Sequence, residues 1–151
     1  MAYEVFISYA RKDKKYLTEL IKHLQTLQKQ NLISTWHDGD INPGAEWEKQ
    51  LMGRLNSAQI IILLISSDFI ASDFCYGKEM DIALQRYDNK EAIVLPIILR
   101  PVDWKGTPFS RLQVLPDNAK PVTSWSRIDE AFTDISKGIR KAIKDLDDLA
   151  K

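Results

Sequence analysis

One carboxylate, that of Glu79, has the clearest chemical setting in this sequence. It follows a predicted strand, Gln59–Ile65, that is almost wholly apolar, is too short to cross a membrane and ends at the serine pair Ser66 and Ser67. Such a run is typical of a strand buried on both faces of a parallel sheet. A helix after this strand would carry Glu79 close to the strand's carboxyl end. In open α/β sheets ligands bind there, because the loops converge beside helix N-termini.

The elements that must position Glu79 alternate between strands and amphipathic helices. Strand patterns cover Tyr3–Tyr9, Leu32–Trp36, Gln59–Ile65 and Ala92–Leu99, with a brief fifth strand near Lys120–Thr123. Helical patterns cover Lys14–Gln30, a stripe from Trp47 to Ala58, a buried line through Tyr76, Met80, Ala83, Leu84 and Tyr87, and a closing stripe from Ile128 to Leu146. This alternation predicts a parallel sheet with helices on both faces. Pro96 cannot donate to a ladder, so its strand is expected near an edge of the sheet or bulged there.

Size, charge and cysteine content narrow the class of protein. A chain of 151 residues predicts one domain, residues 1–151, and its 21 basic and 21 acidic side chains give no bulk attraction to nucleic acid or to an anionic membrane. The lone cysteine, Cys75, excludes an intramolecular disulfide and favours a reducing compartment. No signal peptide or spanning segment is visible, so a cytoplasmic location is expected. His23 and His37 have too few nitrogen or sulfur partners to close a metal site, so no metal is predicted.

The exit of the first strand is a second candidate for ligand binding. Ser8, Tyr9, Ala10 and Arg11 leave that strand and enter a helix. Backbone N–H groups and the Arg11 cation would hold a pyrophosphate there. A solvated helix start explains Arg11 equally well.

The loop after the second predicted strand is a third candidate. Asp38 and Asp40 lie in it, with turn formers that include Gly44. The aspartates either face a ligand or cap turns and the next helix. Trp47 begins the apolar stripe of that helix, so it is predicted to belong to the core.

Three segments resemble the conserved boxes of a Toll/interleukin-1 receptor (TIR) domain in its bacterial form. They are VFISYARKD, WHDGDINPGAEW and ISSDFIASDFCYGKEM, which occur in the family's order and spacing. The segment LPIILRPVDW and the closing helix also fall where the family has them, so the resemblance covers nearly the whole chain. It implies a flavodoxin-like three-layer α/β sandwich, with a five-stranded parallel sheet in the order 2-1-3-4-5.

The resemblance also implies an activity, cleavage of the nicotinamide–ribose bond of NAD, which is then a substrate and not a cofactor. Ordinary glycosidases need two carboxylates, one of them to protonate the leaving oxygen. Nicotinamide leaves NAD as a neutral base from a cationic ring, so no general acid is required. Glu79 matches the glutamate of the family's W-x-x-x-E signature. It would stabilise the developing positive charge or bind the ribose hydroxyls.

The sequence departs from that signature at Cys75, where the family has tryptophan. A thiol offers nicotinamide no stacking surface. Phe74 and Tyr76 flank this position, and Trp36 or Phe69 would reach into the crevice from strand ends. Two plainer interpretations stand beside the catalytic one: Cys75 as a small buried hydrophobe and Glu79 as a solvated glutamate on a helix surface.

Three classes of function remain open. The first is an enzyme that converts NAD to nicotinamide and ADP-ribose, or a cyclic isomer, in bacterial immune signalling after self-association. The second is a non-catalytic TIR scaffold that acts by homotypic protein–protein interaction, which the acidic stretch 36–91 between more basic flanks would support. The third is a related α/β N-glycosidase that acts on nucleosides or nucleotides through a single glutamate. For the first two classes the family implies that the loop after the second strand is a lid and a self-association surface.

Overall fold

A four-stranded parallel sheet lies at the centre of the fold. The computed structural model describes residues 2–40 and 46–150. The strands are β1, Tyr3–Ser8; β2, Ile33–Trp36; β3, Ile60–Ile65; and β4, Ile93–Ile98, in the order β2-β1-β3-β4. All six residues of β3 are buried, as its unbroken apolar run predicts. The predicted parallel α/β architecture is therefore confirmed.

The predicted fifth strand near Lys120–Thr123 is wrong, because the described residues form four strands and this segment contains a 3₁₀ turn, Val122–Ser124. A single parallel bridge from Leu115 to Ile97 occupies the place beside β4. The Leu115 N–H donates to the Pro96 carbonyl at 2.9 Å, and its carbonyl accepts from the Ile98 N–H at 2.8 Å. Pro116 follows and has no N–H, so the ladder ends after one residue. Pro96 itself lies on the edge strand of the sheet, as predicted.

The described residues also form six α-helices and one π-helical segment. The helices are α1, Lys14–His23; α2, Gln25–Lys29; α3, Trp47–Ser57; α4, Ser67–Ala71; α5, Met80–Asp88; and α6, Ile128–Leu149. The predicted helix Lys14–Gln30 is thus divided at Leu24. The π-helical segment, Asp73–Glu79, leads directly into α5. None of the helices in the described ranges is long and apolar enough to cross a bilayer.

Each face of the sheet has its own hydrophobic cluster, so the molecule has three layers. Helices α1, α2 and α6 cover one face, with Leu20 and Phe132 fully buried against Ile7 of β1. Helices α3, α4 and α5 cover the other, with Leu55 and Phe69 against β3. This arrangement brings the carboxyl ends of the strands, and the loops that follow them, to one edge of the molecule.

Two aromatic side chains that were predicted to be buried are exposed. Trp47 is 42% exposed and Tyr87 is 38% exposed. Tyr87 lies near the end of α5, where its ring packs under the Arg111 guanidinium at 5.5 Å. The helical period identified the correct face for Met80, Ala83 and Leu84 but not where the neighbouring layer stops.

Candidate functional site

A cleft of about 400 Å³ opens at the carboxyl end of β1. Its walls come from the exit of β1, the turn after β2, the start of α3, and the α4 and π-helical region. It is lined by Phe6, Ile7, Tyr9, Ala10, Arg11, Lys12, Asp38, Trp47, Leu51, Asp68, Ser72, Phe74, Cys75 and Glu79. The structure thus brings six of the predicted site residues together: Tyr9, Ala10, Arg11, Asp38, Cys75 and Glu79. The position of the cleft is the one that the strand pattern predicts.

Glu79 is the buried acid of this cleft. Only 4% of its surface is exposed, so the interpretation as a solvated surface glutamate is wrong. Burial raises the pKa of its carboxyl from 4.5 to about 7, because the charged form loses hydration. The Ser8 hydroxyl and the Cys75 thiol lower this pKa, and the negative charge of Asp38 raises it. Glu79 therefore changes between its neutral and charged forms near neutral pH.

The π-helical segment places Glu79 and Cys75 on one buried face. The segment follows Ser72, whose hydroxyl accepts a hydrogen bond from the Cys75 N–H at 3.1 Å and so caps it. π-Helical turns are rare and are frequently found at functional sites. Here both side chains face the cleft floor, and α5 continues from Met80 onward.

Cys75 is a protonated thiol in this environment. It is 6% exposed, and its Sγ donates to the Tyr9 carbonyl at 3.5 Å. Burial, with the nearby charge of Glu79, raises the pKa of Cys75 to about 12. A thiol that stays protonated is neither a nucleophile nor a metal ligand. Cys75 is thus buried, as its interpretation as a small buried hydrophobe predicts, but it also lines the cleft.

An aromatic wall stands at the mouth of the cleft. Trp47, the first residue of α3, lies against Phe74 with ring centroids 4.9 Å apart and planes inclined by 45°. Both rings line the cleft, so the prediction that Trp47 is core is wrong. The position of Trp47 could have indicated this, because Trp47 lies in the first turn of a helix that follows a turn-rich loop. The first turn of such a helix often lies outside the core. These rings offer the stacking surface that Cys75 lacks.

Charged side chains surround the opening. Arg11 and Lys12 lie on a 3₁₀ turn directly after β1 and are exposed. Asp38 and Asp68 line the cleft with them. The Tyr9 hydroxyl donates to Asp38 Oδ1 at 2.6 Å, which ties the exit of β1 to the turn after β2.

A buried charge network below the cleft joins the exits of three strands. Asp13, which is 1% exposed, accepts from Ser66 Oγ at 2.5 Å and from Arg100 Nε at 2.8 Å. Arg100 also donates to Asp68 Oδ2 at 2.5 Å. The carboxylates of Asp13 and Asp68 raise the pKa of Arg100, so it stays charged. Sequence reasoning missed Asp13 and Arg100, although both are charged residues that follow predicted strands closely.

Four predicted binding residues do not line the cleft. Ser8, Ser66 and Phe69 are at most 1% exposed and lie beneath it. Trp36 faces a separate polar pocket, where the Arg54 guanidinium lies 5.9 Å from its ring. Helices cover these side chains, so they pack in the interior and do not line the cleft. Gly44 lies outside the described residues.

Among the described residues no group of three or more histidine, cysteine, aspartate or glutamate side chains is arranged to hold a metal ion. The described residues bring to this site one buried carboxyl, an aromatic wall and two exposed cations at the opening.

We expect Glu79→Gln to stabilise the protein at alkaline pH. The folded-state pKa lies above the unfolded one, so the neutral acid favours folding below about pH 4.5, and this contribution is lost as pH rises through about 7. Glutamine cannot ionise, so the variant should gain up to about 3 kcal/mol over wild type at pH 8.5 and little at pH 5. Denaturant unfolding at both pH values measures this, with Glu19→Gln on the exposed side of α1 as the control. A gain that does not depend on pH would contradict a buried, neutral Glu79.

We expect Cys75→Trp to destabilise the fold. The Cys75 side chain is only 6% exposed and an indole is far larger than a thiol, so overpacking should cost roughly 1–3 kcal/mol. Thermal unfolding of this variant beside Cys75→Ala measures the cost. An unchanged melting temperature for the tryptophan variant would show that the cleft admits the indole that the family signature has there.

The TIR domain family model matches residues 5–143. The chain is 45% identical over 138 residues to the uncharacterized protein y4lF of Sinorhizobium fredii, which covers 91% of this chain and 43% of that protein. It is 30% identical over 97 residues to a probable 2' cyclic ADP-D-ribose synthase, TcpO, of Methanobrevibacter olleyae, covering 64% of this chain and 27% of that protein. The chain thus spans less than half the length of these relatives.

Solved structures that share the fold include two with TIR domains. One is the TIR domain of the Toll-related receptor TRR-2 of Hydra magnipapillata, with a TM-score of 0.60, 23% identity, and coverage of 76% of this chain and 83% of that one. The other comprises the TIR domains of the activated Roq1 resistosome that recognises the effector XopQ, with a TM-score of 0.55, 20% identity, and coverage of 90% and 84%. Together with the family match over nearly all of its length, these likenesses show that the chain belongs to the TIR domain family.

Proposed function

We propose that this TIR domain is an NAD nucleosidase that cleaves the nicotinamide–ribose bond, yields nicotinamide with ADP-ribose or a cyclic isomer, and is activated by self-association in bacterial immune signalling. The observation that carries the proposal is Glu79, a buried carboxyl with a pKa of about 7 in a cleft walled by aromatic rings. Perturbed acids in such clefts are typical of catalytic sites.

Glu79 would act on charge and not on protons. As the C1′–N bond breaks, its electron pair goes to the nicotinamide ring, which leaves as a neutral base, and positive charge develops on the ribose. An ionised carboxylate in a water-poor site stabilises that charge strongly, since little solvent screens it. Water then bonds to C1′ and releases a proton to solvent, or a group of the same substrate attacks and gives a cyclic product.

The rest of the cleft offers complementary groups for the remainder of NAD. Trp47 and Phe74 present ring faces at the mouth, which suit stacking by a nicotinamide or adenine ring. Arg11 and Lys12 present cations that suit a pyrophosphate. Asp38 lies near Glu79 and suits hydrogen bonding to ribose hydroxyls.

The comparisons support the proposal on two points. The relative from Methanobrevibacter olleyae is named a probable 2' cyclic ADP-D-ribose synthase, which favours NAD as the substrate and a cyclic isomer among the products. The Roq1 TIR domains were solved within an assembly, the activated resistosome, which favours self-association as the active state.

We expect Glu79→Gln to lose at least about 10²-fold of the NAD cleavage rate, because a carboxamide carries no charge to offset the developing cation. In the wild type the rate should rise with pH through about 7, since the ionised carboxyl is the active form. Chromatographic separation of nicotinamide from nucleotide products between pH 5.5 and 8.5 measures both effects.

Glu19→Gln is the matched control for that experiment, because Glu19 is an exposed side chain paired with Lys22 on α1. Wild-type turnover by a folded Glu79→Gln protein would remove Glu79 from the mechanism. Absence of NAD cleavage by the wild type at any concentration would favour the non-catalytic scaffold. Cleavage of inosine or uridine in preference to NAD would favour the nucleoside N-glycosidase.

We expect specific activity to rise with protein concentration. If a neighbouring copy must order the cleft, dilution removes that copy and the active population falls with it. Initial rates across a hundredfold dilution series, with light scattering on the same samples, measure the coupling. Constant specific activity over the series would show that the monomer is self-sufficient.

A further inference from the structure

The Ser8 hydroxyl is an unusual group for its position. Ser8 is 1% exposed at the carboxyl end of β1, and its Oγ is a buried side-chain oxygen with no hydrogen-bond partner among the described residues. Leaving a buried hydroxyl unpaired costs roughly 1–3 kcal/mol, and nearly all such groups in proteins are paired. Alanine would fill this strand position without that cost. The hydroxyl therefore calls for a role in another state of the site.

Two side chains of the π-helical segment, Glu79 and Cys75, interact with this hydroxyl. It lowers the pKa of both Glu79 and Cys75, which is the effect of a donor that favours the charged form of its neighbour. Cys75 does not need the proton, because its thiol stays protonated and donates to the Tyr9 carbonyl. The Glu79 carboxyl is therefore the acceptor to which the Ser8 hydroxyl can donate.

We propose that Ser8 is a positioning residue for Glu79: its hydroxyl, which has no hydrogen-bond partner among the described residues, donates to the carboxylate once Glu79 ionises. This bond would hold the charged carboxylate in one orientation at the cleft floor. It replaces the expected role of Ser8 as a direct substrate contact, which its place beneath the cleft does not support. The consequence for catalysis rests on the proposed function, whereas the donation itself does not.

The Cys75 thiol lowers the pKa of Glu79 as Ser8 does, whereas the charged groups around Glu79 act differently. Asp38, from the turn after β2, opposes ionisation, and Arg11 and Lys12, from the turn after β1, line the same cleft as exposed cations. Asp68 of α4 also lines the cleft but is paired with Arg100. The residues of α3 that line it, Trp47 and Leu51, carry no charge. Ser8 and the Cys75 thiol are the neutral, water-excluded donors in this set, so their effects on Glu79 should not be screened by salt.

The direct test is the titration of Glu79 by ¹³C NMR in protein labelled at the glutamate carboxyls. Seven glutamates are present, and the signal lost in Glu79→Gln assigns the one of interest. In Ser8→Ala, Glu79 should become about a tenfold weaker acid, the loss expected for one hydrogen bond to a charged group. Ser8→Thr, which keeps a hydroxyl, should titrate like the wild type.

Ser66→Ala is the matched control. Ser66 is also a buried serine at a strand end, but its hydroxyl is fully bonded to Asp13 and to the Phe69 N–H. Its loss should lower the melting temperature and leave the Glu79 titration unchanged. Ser8→Ala should show the opposite pattern, with a shifted Glu79 titration and, at pH 5.5, a melting temperature at least as high as that of the wild type, because an unpaired buried hydroxyl is removed. An unchanged Glu79 titration in Ser8→Ala, or a loss of stability at pH 5.5, would overturn the proposal.

A kinetic arm separates this inference from the proposed function. If NAD is cleaved, the rising limb of the pH–rate profile of Ser8→Ala should move to higher pH, with little change in KM. The shift should correspond to the tenfold weaker acidity of Glu79 that the NMR titration measures. If the wild type cleaves no NAD, the proposed function fails and the NMR titration still decides the role of Ser8. A large rise in KM with an unmoved profile would instead make Ser8 a substrate contact and overturn the positioning role.

Discussion

The fold at the site depends on a buried carboxylate that must be neutralised, that of Asp13. A charge in that position is tolerated only when hydrogen bonds and an opposite charge replace its hydration. Ser66 and Arg100 do so, and they come from the ends of β3 and β4, while Asp13 follows β1. One desolvated ion therefore fixes three chain segments relative to one another beneath the cleft.

Glu79 is a second buried carboxyl nearby, and it is treated in the opposite way. No cation is bonded to it among the described residues, so desolvation dominates its acidity. The buried Glu79 carboxyl therefore lowers the stability of the folded protein when it ionises, whereas the Asp13 carboxylate is stabilised by its hydrogen bonds and by Arg100. The two acids thus differ in one respect: Asp13 has an ion-pair partner, and Glu79 has none among the described residues.

Much of this could be read from the sequence, for physical reasons that also explain the failures. The run Ile60–Ile65 has no other low-energy place than a strand covered on both faces, and it fixes the position of Glu79 with it. The helical repeat of α3 could not show that Trp47 lies beyond the edge of the core. The repeat identifies which side of a helix is buried, but not how far along the helix the core extends. The Asp13–Arg100 contact joins residues 87 apart in the chain, and no local pattern carries such a pairing. The fifth strand expected near Lys120–Thr123 does not form, because Pro116 and Pro121 leave no continuous row of backbone donors there.

The proline-rich stretch beside β4 has a consequence for how copies of this domain can meet. Five of the six prolines follow residue 95, and one bridge at Leu115 is all that the described chain adds to the β4 ladder. An exposed strand edge is a template for adding strands from other molecules, which leads to aggregation. Here that edge is blunted by a segment that cannot continue a ladder and cannot easily be displaced, since Thr123 also bonds to Leu99. Contacts between copies on this side must therefore be made by side chains, which can be formed and released, and not by a shared backbone ladder.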